Sequence, residues 1–421
     1  MTDFDSAPTA LGMVADARPA RAVATALVST IVAALPAFLF GGLAALVRRD
    51  LGFGVQGIGV AVAGYFAVSA LASIPAGRIG ERIGARRGIL GGAFVSGATL
   101  LAMGAARSGW QLGIALACGG IGNALIQPAA NLLLTQHVPA HRRGLAFGIK
   151  QSAIPASALL GGLAVATAGE TLGWRGAFVA GAGLALVVPL LTPQEEGLAV
   201  LHRTEHRHLP HISGGLLLLA AAAGVSTAAA NSMSSYVVEY GIETGLTPAS
   251  AGFVLMAGSA AGLVSRVVIA WQSDHRPGEH LRVVAVLMGT AAIGYLVLAA
   301  SVAPALLVVG ALVAFMTGWG WNALFIYSVV RLHPTTPAAS TGVTMGGGFS
   351  GSVFGPAAFG YIVGALGFRQ AWTAAALCAV AAAVFIVLGR RRIRHERGGP
   401  PGPGVVPIPE SALMHQPERG E

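Results

Sequence analysis

Long apolar runs, divided by short polar breaks, set the pattern of this chain. A helix needs about 20 apolar residues to cross a bilayer. Runs of that kind lie near 22–47, 58–77, 89–106, 111–133, 144–168 and 174–192. A polar stretch from Thr192 to His211 follows. Six more runs lie near 212–237, 249–272, 283–302, 304–329, 341–366 and 371–389. The pattern predicts an all-α membrane protein with twelve transmembrane helices in two six-helix bundles. Its expected units are an N-tail at 1–21, bundles at 22–192 and 212–389, a central loop at 193–211 and a C-tail at 390–421. From Gly398 the tail reads GGPPGPGVVPIPE, a composition that predicts disorder.

The two halves repeat each other. Pro139-Ala140, Gly144, Gly148 and Ser152 recur as Pro337-Ala338, Gly342, Gly346 and Ser350 at one constant offset. The pairs Gly120/Gly318, Gly122/Gly320, Gly162/Gly360 and Trp174/Trp372 keep that offset. Internal symmetry of this kind is typical of transporters.

Composition agrees with the pattern. Hydrophobic residues make up 54% of the 421 positions and charged residues 10%, where soluble domains run near a quarter charged. The formal charge of +9 does not point to nucleic acid, because the basic residues fall in short clusters between apolar runs with no aromatic-basic groove. They give an orientation instead. With a cytoplasmic amino terminus, 19 of the 26 basic residues fall on the cytoplasmic side and 5 on the other. That split satisfies the positive-inside rule and places both termini in the cytoplasm. The bias to 25 arginines against one lysine reads as that of a GC-rich bacterial genome, so the expected membrane is a bacterial inner membrane. Cys118 and Cys378 both lie in apolar runs and predict neither a disulfide nor a metal site. His202, His206, His208 and His211 in the central loop read as a solvated linker, since no cysteine or carboxylate pair accompanies them. No cofactor or metal is expected, and no phosphate-binding G-x-x-x-x-G-K-[ST] loop occurs.

After the second run the sequence reads Gly77-Arg-Ile-Gly-Glu81-Arg82-Ile-Gly84-Ala-Arg86-Arg87. This resembles the signature loop of the major facilitator superfamily, G-x-x-x-D-R-x-G-x-R-R, with Glu81 in place of the usual Asp. A worn second copy follows the eighth run: Ala270-Trp-Gln-Ser-Asp274-His275-Arg276. There Ala270 replaces the first glycine and His275 the arginine. The resemblance implies a twelve-helix secondary transporter working by alternating access. Gly77, Glu81, Arg82, Gly84, Arg86, Arg87 and Asp274 would then gate the two halves without touching substrate. Drug/proton antiporters of the superfamily carry a G-P motif in the fifth helix and an arginine in the fourth. Here the fifth reads Gly148-Ile-Lys150-Gln151-Ser152-Ala-Ile-Pro155, and the matching part of the fourth reads Ala117-Cys118-Gly119-Gly120. Both departures count against drug efflux by proton exchange.

Charges inside membrane helices are costly and therefore candidates for function. Lys150 in the fifth run and Arg266 in the eighth are the two deep charges, and no carboxylate lies deep in any run. The expected substrate is thus a small organic anion, such as a carboxylate. Asn123, Gln127 and Asn131 recur every four residues and form one stripe on the fourth helix. Asn231 and Ser235 do the same on the seventh, and Trp321 and Asn322 lie in the tenth. With Gln151, these complete the expected substrate-binding set. Part of this polar set could serve only to hold the bundle together. Coupling stays open between proton co-transport, uniport and anion exchange. Export of apolar or cationic drugs, and a non-transporting sensor of the same fold, are the competing readings; an enzyme would need a catalytic constellation within the bilayer. The expected chain works as a monomer, with solute and lipid as its partners.

Overall fold

In the computed structural model the described residues are 10–139, 142–168, 172–194, 213–275, 280–301, 303–333 and 336–398. The four histidines of the central loop and the tail beyond 398 lie outside them. The helices are α1 (Ala10–Leu51), α2 (Val55–Ile83), α3 (Ala85–Ala105), α4 (Gly109–His137), α5 (Arg143–Gln151), α6 (Ala153–Ala168), α7 (Gly173–Gly183) and α8 (Val187–Leu191). After the central loop come α9 (Gly214–Glu243), α10 (Pro248–His275), α11 (His280–Ala300), α12 (Pro304–Leu332), α13 (Pro337–Leu366) and α14 (Phe368–Gly398). Twelve spans long and apolar enough to cross a membrane result. The fifth is α5 with α6, and the sixth is α7 with α8.

Both divided spans have a proline to explain them. Pro155 cannot give an N–H to the carbonyl of Gln151, four residues back, and the chain turns at Ser152 between α5 and α6. Pro189 likewise leaves Ala185 without its helical donor, and Leu184–Leu186 winds as a 3-10 turn. The C-terminal boundary needs correction. Residues 390–398 of the expected tail are helical, because α14 outruns its apolar stretch. Ile393, 3% exposed, packs there against Gly215 of α9.

The same pairs of spans pack in each half. The first lies on the fifth as the seventh lies on the eleventh. The second lies on the fourth as the eighth on the tenth, and the third on the sixth as the ninth on the twelfth. Between halves, α6 packs on α10 and α2 on α13, again as symmetric equivalents, and α1 packs on α9.

The apolar core divides along the bundle axis. One cluster crosses both halves at the end away from the chain termini. It joins Phe40, Leu43 and Ile58 to Tyr236, Val237 and Phe359. Toward the termini the core splits into two separate clusters. One holds Ala26, Ile89 and Leu133 in the N-terminal half. The other holds Leu216, Leu281 and Phe325 in the C-terminal half.

Glycines report the same divergence. Gly59 and Gly77 lie five turns apart on one face of α2, as do Gly360 and Gly342 on α13. A Cβ on Gly59 would collide with the Pro356 carbonyl of the opposite half, and one on Gly360, besides meeting the Tyr236 hydroxyl of its own half, would lie 3.4 Å from Gln56 Cα of α2. A Cβ on Gly77 or Gly342 meets nothing within 4 Å. The halves therefore touch at the far end and part at the end that carries the termini.

Candidate functional site

Lys150 sits in the last turn of α5, where the shared core gives way to the two separate ones. Phe147 packs on the N-terminal cluster and Ile154 on the shared one. Lys150 is 2% exposed. Its Nζ donates to Gln127 Oε1 and to Asn131 Oδ1, each at 2.7 Å. Gln127 Nε2 donates to Asn123 Oδ1 at 3.2 Å, and Asn123 Nδ2 to Ser69 Oγ at 2.6 Å. The stripe on α4 is thus a polar ladder. It runs from exposed Asn131 through half-buried Gln127 to buried Asn123 and Ser69 of α2. An ammonium has three N–H donors, so one remains for a further acceptor.

Arg266, 6% exposed, reaches the same break from the other half. Its Nε and Nη2 donate to the Trp319 carbonyl at 3.2 and 2.8 Å. Its Nη1 donates to the Gln151 carbonyl at 2.6 Å. Among the described residues neither Lys150 nor Arg266 meets a carboxylate. Two cations within the span of a membrane, held only by neutral oxygens, cost on the order of 3 kcal/mol each on insertion scales. A site for a negative charge is what such an arrangement can supply.

The rest of the expected set divides. Gln151 enters through its backbone carbonyl. Asn231 Nδ2 donates to Ser352 Oγ at 2.9 Å and ties α9 to α13, and Ser235 Oγ donates to the Asn231 carbonyl at 2.8 Å. These are bonds inside the C-terminal bundle. Asn322 is half-buried, and its amide has no hydrogen bond among the described residues. Trp321 does not join the site. It is 3% exposed, in the C-terminal cluster, with its ring edge-on to Phe325. Trp319, two residues away on the opposite face of α12, is the central tryptophan. It meets Phe38 of α1 edge-to-face at 5.6 Å, and its Nε1 donates to the Ala230 carbonyl at 3.4 Å.

At the far end an ion pair joins half-buried Arg48 of α1 to buried Glu239 of α9. Nothing in the sequence signals that these two residues, 191 positions apart, pair across the halves. In the signature loop, Gly84 ends α2 at φ 86° and ψ 164°, a conformation that only glycine adopts without strain. Arg82 and Arg87 are exposed, and Arg86 is half-buried. The side chains of Glu81 and Asp274 lie outside those described.

Comparison with known proteins agrees with this architecture. The family model described as "Major Facilitator Superfamily" matches residues 26–341 and 216–417. An uncharacterized MFS-type transporter of Mycobacterium tuberculosis is 31% identical over 114 residues, 27% of this chain and 20% of that protein. The match thus spans about one-fifth of that relative's length. Two crystal structures of a bacterial homolog to the human lysosomal transporter Spinster are each 15% identical. The inward-facing, unoccupied one gives a TM-score of 0.74 over 91% of this chain and 99% of that one. The inward-facing, occupied one gives 0.71 over 94% and 100%.

Proposed function

The chain belongs to the major facilitator superfamily, and on that premise we propose that it carries a small organic anion, a carboxylate in the first instance, across a bacterial inner membrane by alternating access. That it is a multi-pass membrane transporter for some solute follows from the family and the fold. The anion is our own reading. The observation that carries it is Lys150, a buried ammonium with two amide acceptors, a free N–H and no carboxylate partner among the described residues. An anionic solute would take the remaining donor and supply the missing negative charge.

The arginine distribution supports a cytoplasmic position for the termini-bearing end. On that orientation, the parting of the halves at that end corresponds to an inward-open state. Asn131, Gln127 and Lys150 form the polar path from the opening to the break in the fifth span. On the outside, the α2–α13 and α6–α10 contacts and the Arg48–Glu239 pair keep the protein shut. The signature loop, open around Gly77, would close on the inside in the opposite state.

Uptake into proteoliposomes tests the substrate class. Labelled lactate, benzoate and succinate are set against cationic dyes, with and without a pH gradient. We expect uptake of at least one carboxylate and of no dye; dye uptake with no carboxylate uptake would overturn the reading. Dependence on the pH gradient separates proton coupling from uniport and exchange.

A further inference from the structure

We propose that Arg266 is a positioning residue: from the C-terminal half it replaces the helical hydrogen bond that Pro155 denies to the Gln151 carbonyl, and so ties the shape of the Lys150 site to contact between the halves. The inference rests on the anion reading for its consequence, but not for its geometry.

In a helix the carbonyl of Gln151 would accept from the N–H of residue 155. Residue 155 is proline and has none. A backbone carbonyl left unpaired at membrane depth costs several kcal/mol, of the order of its full desolvation. Arg266 Nη1 lies 2.6 Å from that oxygen, a short, charge-assisted contact. The guanidinium is in turn fixed on its own half by two bonds to the Trp319 carbonyl. Trp319 also meets Phe38 of the N-terminal half. The repaired carbonyl belongs to the residue directly after Lys150. Its state therefore sets how the last turn of α5 presents the ammonium to Gln127 and Asn131.

The donor stands on α10, across the α6–α10 contact, so the repair exists only while α10 lies against the break. When the halves rock apart there, the carbonyl loses its donor and α5 is released from α6. Lys150 then shifts relative to α4. Affinity for the bound anion would differ between the two states for this reason, as alternating access requires of any site that binds on one side and releases on the other.

Hydrogen exchange read by mass spectrometry on the full chain in detergent tests the device, without need of a substrate. In Arg266→Gln, amides at Ser152, Ala153 and Ile154 are expected to exchange about tenfold faster than in the wild type. In the double variant with Pro155→Ala, residue 155 regains an N–H for Gln151, and exchange should return to within about twofold of the wild type. Unchanged exchange in R266Q, or faster exchange that P155A does not reverse, would overturn the proposal. Loosening spread evenly over α10 and α12 would also overturn it, since that is what a merely structural arginine would give. Should R266Q fail to insert, P155A alone decides. The new amide at 155 is expected to be as protected as its neighbours in α6, and rapid exchange there would contradict the proposal. Uptake of lactate, benzoate and succinate by the same variants forms a separate arm. R266Q should raise the apparent KM at least fivefold, and P155A should restore it. If the wild type carries none of the three probes, the anion reading fails while the exchange data still decide the role of Arg266.

Discussion

Lys150→Ala is expected to lower carboxylate uptake at least about tenfold while leaving insertion and expression intact. The substitution removes the charged donor and leaves the amides of Gln127 and Asn131 without their shared partner. A hydrogen bond to a charged group contributes about 1.5–3 kcal/mol, and about 1.4 kcal/mol corresponds to a factor of ten. Loss of one such bond to a bound anion therefore gives roughly tenfold to over a hundredfold. The fold itself should tolerate the change, because removing a buried, unpaired cation relieves its desolvation cost. Initial rates in proteoliposomes, normalised to inserted protein, read the effect. Normal uptake by the variant would make Lys150 a structural residue.

Gly59→Val is expected to shut the cytoplasmic side and expose the outer one. A Cβ at this position has no room against the Pro356 carbonyl and the Tyr236 hydroxyl, both of the opposite half. Overpacking a close contact costs about 1–3 kcal/mol, all of it charged to the state in which α2 and α13 touch at the far end. The equilibrium should then move toward the alternative state by about fivefold to over a hundredfold. Gly342→Cys, made in a background without Cys118 and Cys378, reports on it. Position 342 is exposed and open in this state, on the face of α13 that meets α2 at the far end. Its alkylation by a maleimide is expected to slow severalfold when Gly59→Val is added. An unchanged rate would mean that the crowding at Gly59 does not govern which end is open.

Much of this architecture can be read from the sequence, for particular reasons. The twelve spans are legible because lipid demands a long apolar run of each one. The repeat is legible in Gly162 and Gly360, but the two glycines are not used alike: Gly162 presses against α10 of the opposite half, whereas Gly360 makes room chiefly for the Tyr236 hydroxyl of its own half, with Gln56 of α2 beside it. Gly148 and Gly346, another pair at that offset, both face open space. The ladder on α4 follows from helical periodicity alone. What could not be read is which element each polar face meets. Lys150 and the α4 stripe are 19 residues apart or more along the chain, and only packing brings them together. Trp319 and Trp321 could not be told apart, because α12 is apolar on both faces and a shift of two residues reverses the direction a side chain takes. The role of Arg266 needed two facts at once: the missing N–H of Pro155, which the sequence carries, and the approach of α10, which it does not.

The most direct test of the anion site is ligand stabilisation of the purified protein. A ligand that binds only the folded state raises its stability by about 2.7 kcal/mol at a hundred times its Kd. Thermal unfolding in detergent is followed for the wild type and Lys150→Ala, each with the carboxylate panel and with the cationic dyes. At least one carboxylate is expected to raise the Tm of the wild type, the same compound to leave Lys150→Ala unchanged, and no dye to stabilise either. Stabilisation of both proteins by a cationic dye, with no response to any carboxylate, would contradict the anion site.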